Sequence, residues 1–142
     1  MSTRSQYRYL PISDGLEISS DPNPWQCLSR YPKACKNVTF VDVDYRALME
    51  KKRDVVRRTV ELNEMLVNLS FPESGNLLLQ SDQYLQVGCD LRELSDLSAV
   101  LTTAIDIEES LILCTAEVSI TYMNVEAADA LLKWASNLPD GM

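Results

Sequence analysis

Asp44, Asp90 and Glu117 are the residues whose type and spacing could do chemistry in this chain. Each falls at or near the far end of a run that reads as a strand. Val-Thr-Phe-Val-Asp-Val-Asp (38–44) alternates apolar and polar residues and closes on two acids. Tyr-Leu-Gln-Val-Gly-Cys-Asp (84–90) ends on a third. Ser-Leu-Ile-Leu-Cys-Thr-Ala-Glu-Val-Ser-Ile-Thr-Tyr-Met (110–123) begins as an apolar run, fit for a strand buried on both faces, and carries Glu117 in its far half. In a parallel sheet all carboxyl ends lie on one edge, and there open α/β sheets bind ligands. A rim of carboxylates suits a ligand rich in hydroxyl and amino donors, such as a ribose and an adenine. An acid after the second strand is the expected ribose binder of a nucleotide-binding sheet. The plainer reading is that these are ordinary rim residues. A metal is the other ligand such acids could take, but no D-x-D-x-D-G loop is present.

Other chemistries are absent from the sequence. The chain has no histidine, which removes His-based acid/base catalysis, Ser-His-Asp triads and His metal sites. Its four cysteines, Cys27, Cys35, Cys89 and Cys114, show no C-x-x-C spacing, so no zinc or redox motif is expected. The formal net charge of −8 argues against nucleic-acid affinity over the whole surface but leaves room for a local patch. Lys51, Lys52, Arg53, Arg57 and Arg58 form such a cluster, read first as the solvated face of a helix. At 142 residues the chain is one domain at most. No apolar run reaches the length of a membrane span, and the N-terminus lacks the apolar core of a signal peptide, so a cytoplasmic location is the default.

The elements that must position the acids follow from periodicity. Residues 1 to about 24 are rich in Pro, Asp and Gly and read as irregular, with Leu16-Glu17-Ile18 a short strand or nothing. A short helix is predicted over 25–30 and a long one from 45 to about 67, with Leu48, Val55, Val56, Leu62, Met65 and Leu66 as its stripe. Residues 77–80 are a short strand or the edge of a loop. A helix is predicted over 95–105. Another runs over 125–137, capped by Asn124, with Val125, Ala128, Leu132 and Ala135 inward. Strand and helix alternate, so the class is α/β: about four mostly parallel strands in the order 3-2-1-4, with flanking helices. The strand at 110–120 would be an exposed edge, and self-association through it is expected.

At these residues the sequence resembles the leucine carboxyl methyltransferase family, which uses S-adenosyl-L-methionine on a Rossmann-like sheet. The carrying segments are Phe-Val-Asp-Val-Asp-Tyr (40–45), Lys51-Lys52, Gln-Val-Gly-Cys-Asp-Leu-Arg (86–92) and Ala-Glu-Val-Ser-Ile-Thr-Tyr-Met (116–123). Asp-Pro-Asn-Pro-Trp-Gln (21–26) and Val-Glu-Ala-Ala-Asp-Ala-Leu-Leu-Lys-Trp-Ala-Ser (125–136) point to members that act in wybutosine biosynthesis on phenylalanine tRNA. The resemblance implies a partial methyltransferase domain over 21–142, with 1–20 an irregular or divergent segment. It also implies cofactor-binding roles: Asp44 at the ribose hydroxyls, Asp90 and Leu91 at the adenine, and Glu117 facing the cofactor near its methyl donor. The implied reaction is esterification of a carboxylate on a modified guanosine side chain, with methoxycarbonylation as a second activity. No catalytic residue is assigned. Two departures are visible. Where the family has a Gly-x-Gly turn this chain has Glu17-Ile18-Ser19-Ser20, and neither Arg4 nor Arg8 has the context of the family's upstream arginine. The family's later strands are also expected beyond the last helix. The reading of a different class is a non-catalytic methyltransferase-like remnant that serves as a binding module. The basic cluster, on the first reading, is a candidate for a minor tRNA backbone contact.

Overall fold

A computed structural model describes residues 6–12, 24–116 and 119–138. Five strands form one sheet: β1 (Gln6–Ile12), β2 (Val38–Asp44), β3 (Leu77–Gln80), β4 (Tyr84–Gly88) and β5 (Ser110–Ala116). Their order is β3-β4-β2-β1-β5. β1 pairs in parallel with both β2 and β5, and β2 pairs in parallel with β4. The expected order of the parallel strands is present, with 6–12 in the first place, and 77–80, read as a short strand or a loop edge, is a strand. That strand, β3, runs antiparallel to β4 and closes one edge, while β5 lies at the other.

Alternation along β2 and β4 divides the core in two. Val41, Val43, Leu85 and Val87 face helix α4 (Leu94–Ala104) through Leu97 and Leu101, and helix α5 (Val125–Ser136) adds Trp134. Phe40 and Tyr84 face the other side. There helices α1 (Pro24–Arg30), α2 (Arg46–Arg58) and α3 (Val60–Glu64) pack with Leu28, Val56 and Leu62. Burial of each such side chain contributes roughly 1.5–3 kcal/mol.

Several sequence expectations are corrected. The irregular reading of the N-terminus fails over 6–12, which form β1, inside the sheet between β2 and β5. Pro11 made the segment read as a break. In the fold the pairing with β2 skips Leu10 and Pro11, where the missing N–H would otherwise interrupt the ladder. The alternative strand at 16–18 lies outside the described residues.

The long helix is two helices. Thr59 takes an extended conformation (φ −102°, ψ 106°), and its hydroxyl donates to the Val55 carbonyl at 2.7 Å. The Asn63 side-chain amide donates to the carbonyls of Val56 and Thr59. Side chains thus take up the last carbonyls of α2 and end it. Val55, assigned inward, is 57% exposed, and Met49 and Val56 are the buried residues of α2. Lys52, placed on the solvated face, reaches inward to Asp42.

β5 ends at Ala116, and a 3₁₀ turn over Ser119–Tyr122 follows it. In α5 the stripe is rotated by one residue. Val125 and Leu132 are exposed, while Leu131 is buried and Trp134 and Leu138 pack on the core. The indole decides this face: it is the largest apolar group of the helix, and its N–H donates to Ser98 Oγ at 2.7 Å.

Gly88 sets how closely α2 and β4 approach. A Cβ there would lie 2.9 Å from Leu78 Cδ1 and 3.0 Å from Arg46 Cα. Only glycine lets the first turn of α2 lie this near the end of β4. That contact draws together the two chain segments that carry Asp44 and Asp90.

Candidate functional site

A cleft of about 70 Å³ opens at the carboxyl ends of β2 and β4. Asp44, Tyr45, Cys89, Asp90, Leu91, Ser119, Tyr122 and Met123 line it. Three of the four residues expected at a cofactor, Asp44, Asp90 and Leu91, are therefore in one place. Glu117 lies outside the described residues, but the chain on either side of it is placed. Ala116 ends β5, and Ser119 is a wall of the cleft.

Asp44 is 4% exposed, and its Oδ1 accepts the Tyr45 N–H at 2.7 Å. Its main-chain carbonyl accepts the Cys89 N–H at 2.9 Å, which ties the ends of β2 and β4 together. Asp90 stands two residues past the end of β4. Its Oδ1 accepts the Arg92 N–H at 2.9 Å, and the Arg92 guanidinium donates to both carboxylate oxygens, as close as 2.6 Å. Those hydrogen bonds from Arg92 hold the Asp90 carboxyl below the usual carboxylate range. Asp90 is thus a fixed anion at neutral pH.

Cys89 also lines the cleft, but burial pushes its thiol up, and its Sγ donates to the Asp90 carbonyl at 3.3 Å. A thiol held protonated in this way is a poor nucleophile. Tyr122 is 77% exposed at the mouth of the cleft. Sequence reasoning had not singled out Tyr45, Cys89, Ser119, Tyr122 or Met123 as site residues. The signal was present, because each lies within two residues of an assigned acid or inside the stretch 116–123.

Beneath the cleft, on the α2 face of the sheet, a buried network braces the same strands. Lys52 Nζ meets Asp42 Oδ2 at 3.1 Å, the Tyr84 hydroxyl donates to that oxygen at 3.0 Å, and Gln86 Nε2 donates to the Tyr84 hydroxyl at 3.1 Å. Burial, and after it Asp42, push the Tyr84 phenol well above its ordinary value. Asp42 is therefore engaged in holding β2 to α2 and β4, and Asp44 is the acid of that pair that faces the cleft.

A second cleft, about 600 Å³, lies between α4 and α5 around Trp134, Asp106, Glu108 and Leu138, and contains none of the expected site residues.

A sheet with helices on both faces and an acid-lined cleft at its carboxyl edge has the arrangement of an open α/β sheet, whose ligands bind at that edge. Residues 27–136 match the model of the leucine carboxyl methyltransferase family. Among curated proteins, the chain is 48% identical over 124 residues to tRNA wybutosine-synthesizing protein 4 of Gibberella zeae, covering 85% of this chain and 12% of the relative. The protein of that name in Aspergillus oryzae is 40% identical over 119 residues, covering 83% of this chain and 12% of the relative. The one in Eremothecium gossypii is 30% identical over 124 residues, covering 84% and 18%. The chain thus spans about an eighth of the length of the first two relatives. The chain belongs to the leucine carboxyl methyltransferase family.

Proposed function

We propose that this chain carries the adenosine-binding half of an S-adenosyl-L-methionine site, in a carboxyl methyltransferase of wybutosine synthesis on phenylalanine tRNA. The observation that carries the reading is that Asp44, Asp90 and Leu91 line one cleft at the carboxyl edge of β2 and β4. The donor chemistry fits adenosine. Asp44, a buried acid at a strand end, is placed to accept from ribose hydroxyls. Asp90 would accept from the exocyclic amine of adenine in competition with Arg92, which donates to both of its carboxylate oxygens, so the amine has to displace or share one of those bonds. Leu91 and Met123 supply apolar walls for the ring. Glu117, by the family resemblance, is the acid expected near the methyl donor.

The cleft is smaller than the roughly 300–1,000 Å³ of a whole ligand site. It suits one end of the cofactor, and 17–20, where the family has its glycine turn, would meet the methionine end.

The cofactor when bound supplies an electrophilic methyl group. The substrate carboxylate is already an anion at neutral pH, so the protein has to position it and need not deprotonate it. This suits a chain without histidine. The substrate class is supported by the relatives' name, tRNA wybutosine-synthesizing protein 4. Methoxycarbonylation, a cytoplasmic location, a divergent segment over 1–20 and self-association through the β5 edge belong to the same proposal. The second reading, a non-catalytic binding module, is favoured by Glu17-Ile18-Ser19-Ser20, because glutamate and isoleucine would crowd the backbone approach that glycines allow.

Nucleoside selectivity tests the assigned roles. Adenosine should bind at millimolar concentration, followed by amide NMR shifts. 2′-Deoxyadenosine should lose about tenfold through Asp44, and inosine about tenfold through Asp90, as expected for hydrogen bonds to charged groups of about 1.5 kcal/mol. Asp44→Asn should reduce adenosine binding and remove the penalty for the deoxy sugar. Equal binding of the three nucleosides, or an unchanged Asp44→Asn variant, would remove the assignment.

A further inference from the structure

Charge is distributed very unevenly along the chain. Residues 24–58 hold nine of the 13 lysines and arginines against four carboxylates, and the remainder holds four against seventeen. The structure gathers the nine on one side of the sheet, since α1, the turn after it and α2 all pack on the same face. Three of them are spent internally: Arg46 on Glu50, Lys52 on Asp42 and Arg53 on Asp54. Arg30, Lys33, Lys36, Lys51, Arg57 and Arg58 are exposed and form no ion pair among the described residues.

Three of these cations stand next to or near members of a single buried cluster in the chain. Lys36 adjoins Cys35, Arg57 adjoins Val56, and Arg30 is two residues past Leu28; Cys35, Val56 and Leu28 pack together. Two aromatic groups are interleaved with the charge. The Arg57 guanidinium carbon lies 4.6 Å from the centre of the Phe71 ring, and Tyr31 is 62% exposed between Arg30 and Lys33. A guanidinium fixed on a ring can meet a phosphate with two parallel N–H groups, and an exposed tyrosine offers a face for stacking.

From these observations we infer that the α1–α2 face binds the phosphate backbone of an RNA. The inference rests on the reading of a tRNA substrate and adds the surface that would hold it. Lys36 lies two residues ahead of β2 and Asp44 ends it, so the seven residues of the strand, about 20 Å, separate the Lys33–Lys36 end of the patch from the cleft. A small substrate would not span that distance, but a folded RNA does. The acidic remainder of the molecule repels polyanions, so the field presents one side to the RNA.

The test is fluorescence anisotropy of labelled, unmodified phenylalanine tRNA transcript with the full chain, from about 50 to 200 mM KCl. The expected result is a linear fall of log affinity with log salt, with a slope of about −3 to −5, as for several neutralised phosphates. Lys33→Glu, Lys36→Glu and Arg58→Glu together should weaken binding at least about tenfold at 100 mM salt and flatten the slope by about 2–3. Exchange of the same three positions between Lys and Arg should preserve binding. The charge-reversed variant should still bind adenosine, and Asp44→Asn should still bind the tRNA. Failure of the patch is thereby separated from failure of the cofactor reading. Lys33→Gln with Lys36→Gln, on the exposed turn, gives the same reading if the triple variant does not fold. Undiminished tRNA affinity in the reversed chain, or binding to phosphatidylserine vesicles or polyglutamate in preference to tRNA, overturns the inference.

Discussion

Asp42 and Asp44 are two residues apart on one strand and have different tasks. Asp42 is closed off by Lys52 and Tyr84, and Asp44 faces the cleft. Sequence showed that both were acids at a strand end, but it could not show which one would be neutralised. That depended on Lys52 turning inward, one helical turn from cations that point outward. The network makes Tyr84→Phe informative. The change removes a donor from Asp42 and leaves the Gln86 amide without the Tyr84 hydroxyl, at a site where Gln86 is 1% exposed. The expected cost is about 1–3 kcal/mol at neutral pH by urea denaturation. The pH dependence follows from the raised phenol. The folded state keeps the Tyr84 proton above the pH at which the unfolded chain loses it, near 10. Its contribution is complete below about pH 10 and declines as pH rises further. The gap between the natural chain and Tyr84→Phe should then narrow by up to about 1.4 kcal/mol per pH unit. A gap that stays constant from pH 8 to 11 would contradict this account of the buried phenol.

At the scale of elements, the site is made by an approach between β4 and α2 that Gly88 permits. Gly88→Ala should cost about 1–3 kcal/mol by overpacking, because the new methyl meets backbone at Arg46 as well as the Leu78 side chain. The strain falls between the segments bearing Asp44 and Asp90, so adenosine affinity should fall further than in a surface control such as Ser29→Ala. Unchanged stability and affinity would show that the approach is not tight. The alternation of strands and helices was readable because β2, β4 and β5 carry strong apolar patterns and Asn124 caps α5, accepting the Ala127 N–H at 2.8 Å. β1 was not readable, because Pro11 and the turn-forming residues after it outweighed a short run whose partners lie 31 and 104 residues away in sequence. The break at Thr59 was also hidden. Helical spacing continues through it, and only the side-chain bonds of Thr59 and Asn63 to the last carbonyls of α2 reveal the end. The rotated face of α5 reflects the indole of Trp134, which a count of aliphatic residues undervalues.

At the scale of the whole molecule, β5 forms one edge of the sheet among the described residues, and Leu113 on it is 57% exposed. An unprotected edge with exposed leucine pairs with other chains, so concentration-dependent self-association is expected in sedimentation at tens of micromolar, and Leu113→Lys should reduce it. A sharp monomer boundary for the natural sequence would count against this. By the two proposals above, the basic α1–α2 face would be the surface for a polyanion and the cleft the surface for a nucleoside. The central claim is that the second surface is the adenosine half of a cofactor site whose methionine half meets Glu17-Ile18-Ser19-Ser20 in place of a glycine turn. Isothermal titration of the chain with S-adenosyl-L-methionine and with adenosine tests it most directly. The account predicts no measurable heat at about 100 micromolar of either ligand, and millimolar binding of both within about threefold of each other, since the methionine end adds little. Micromolar binding of S-adenosyl-L-methionine, or binding of the cofactor without binding of adenosine, would contradict it.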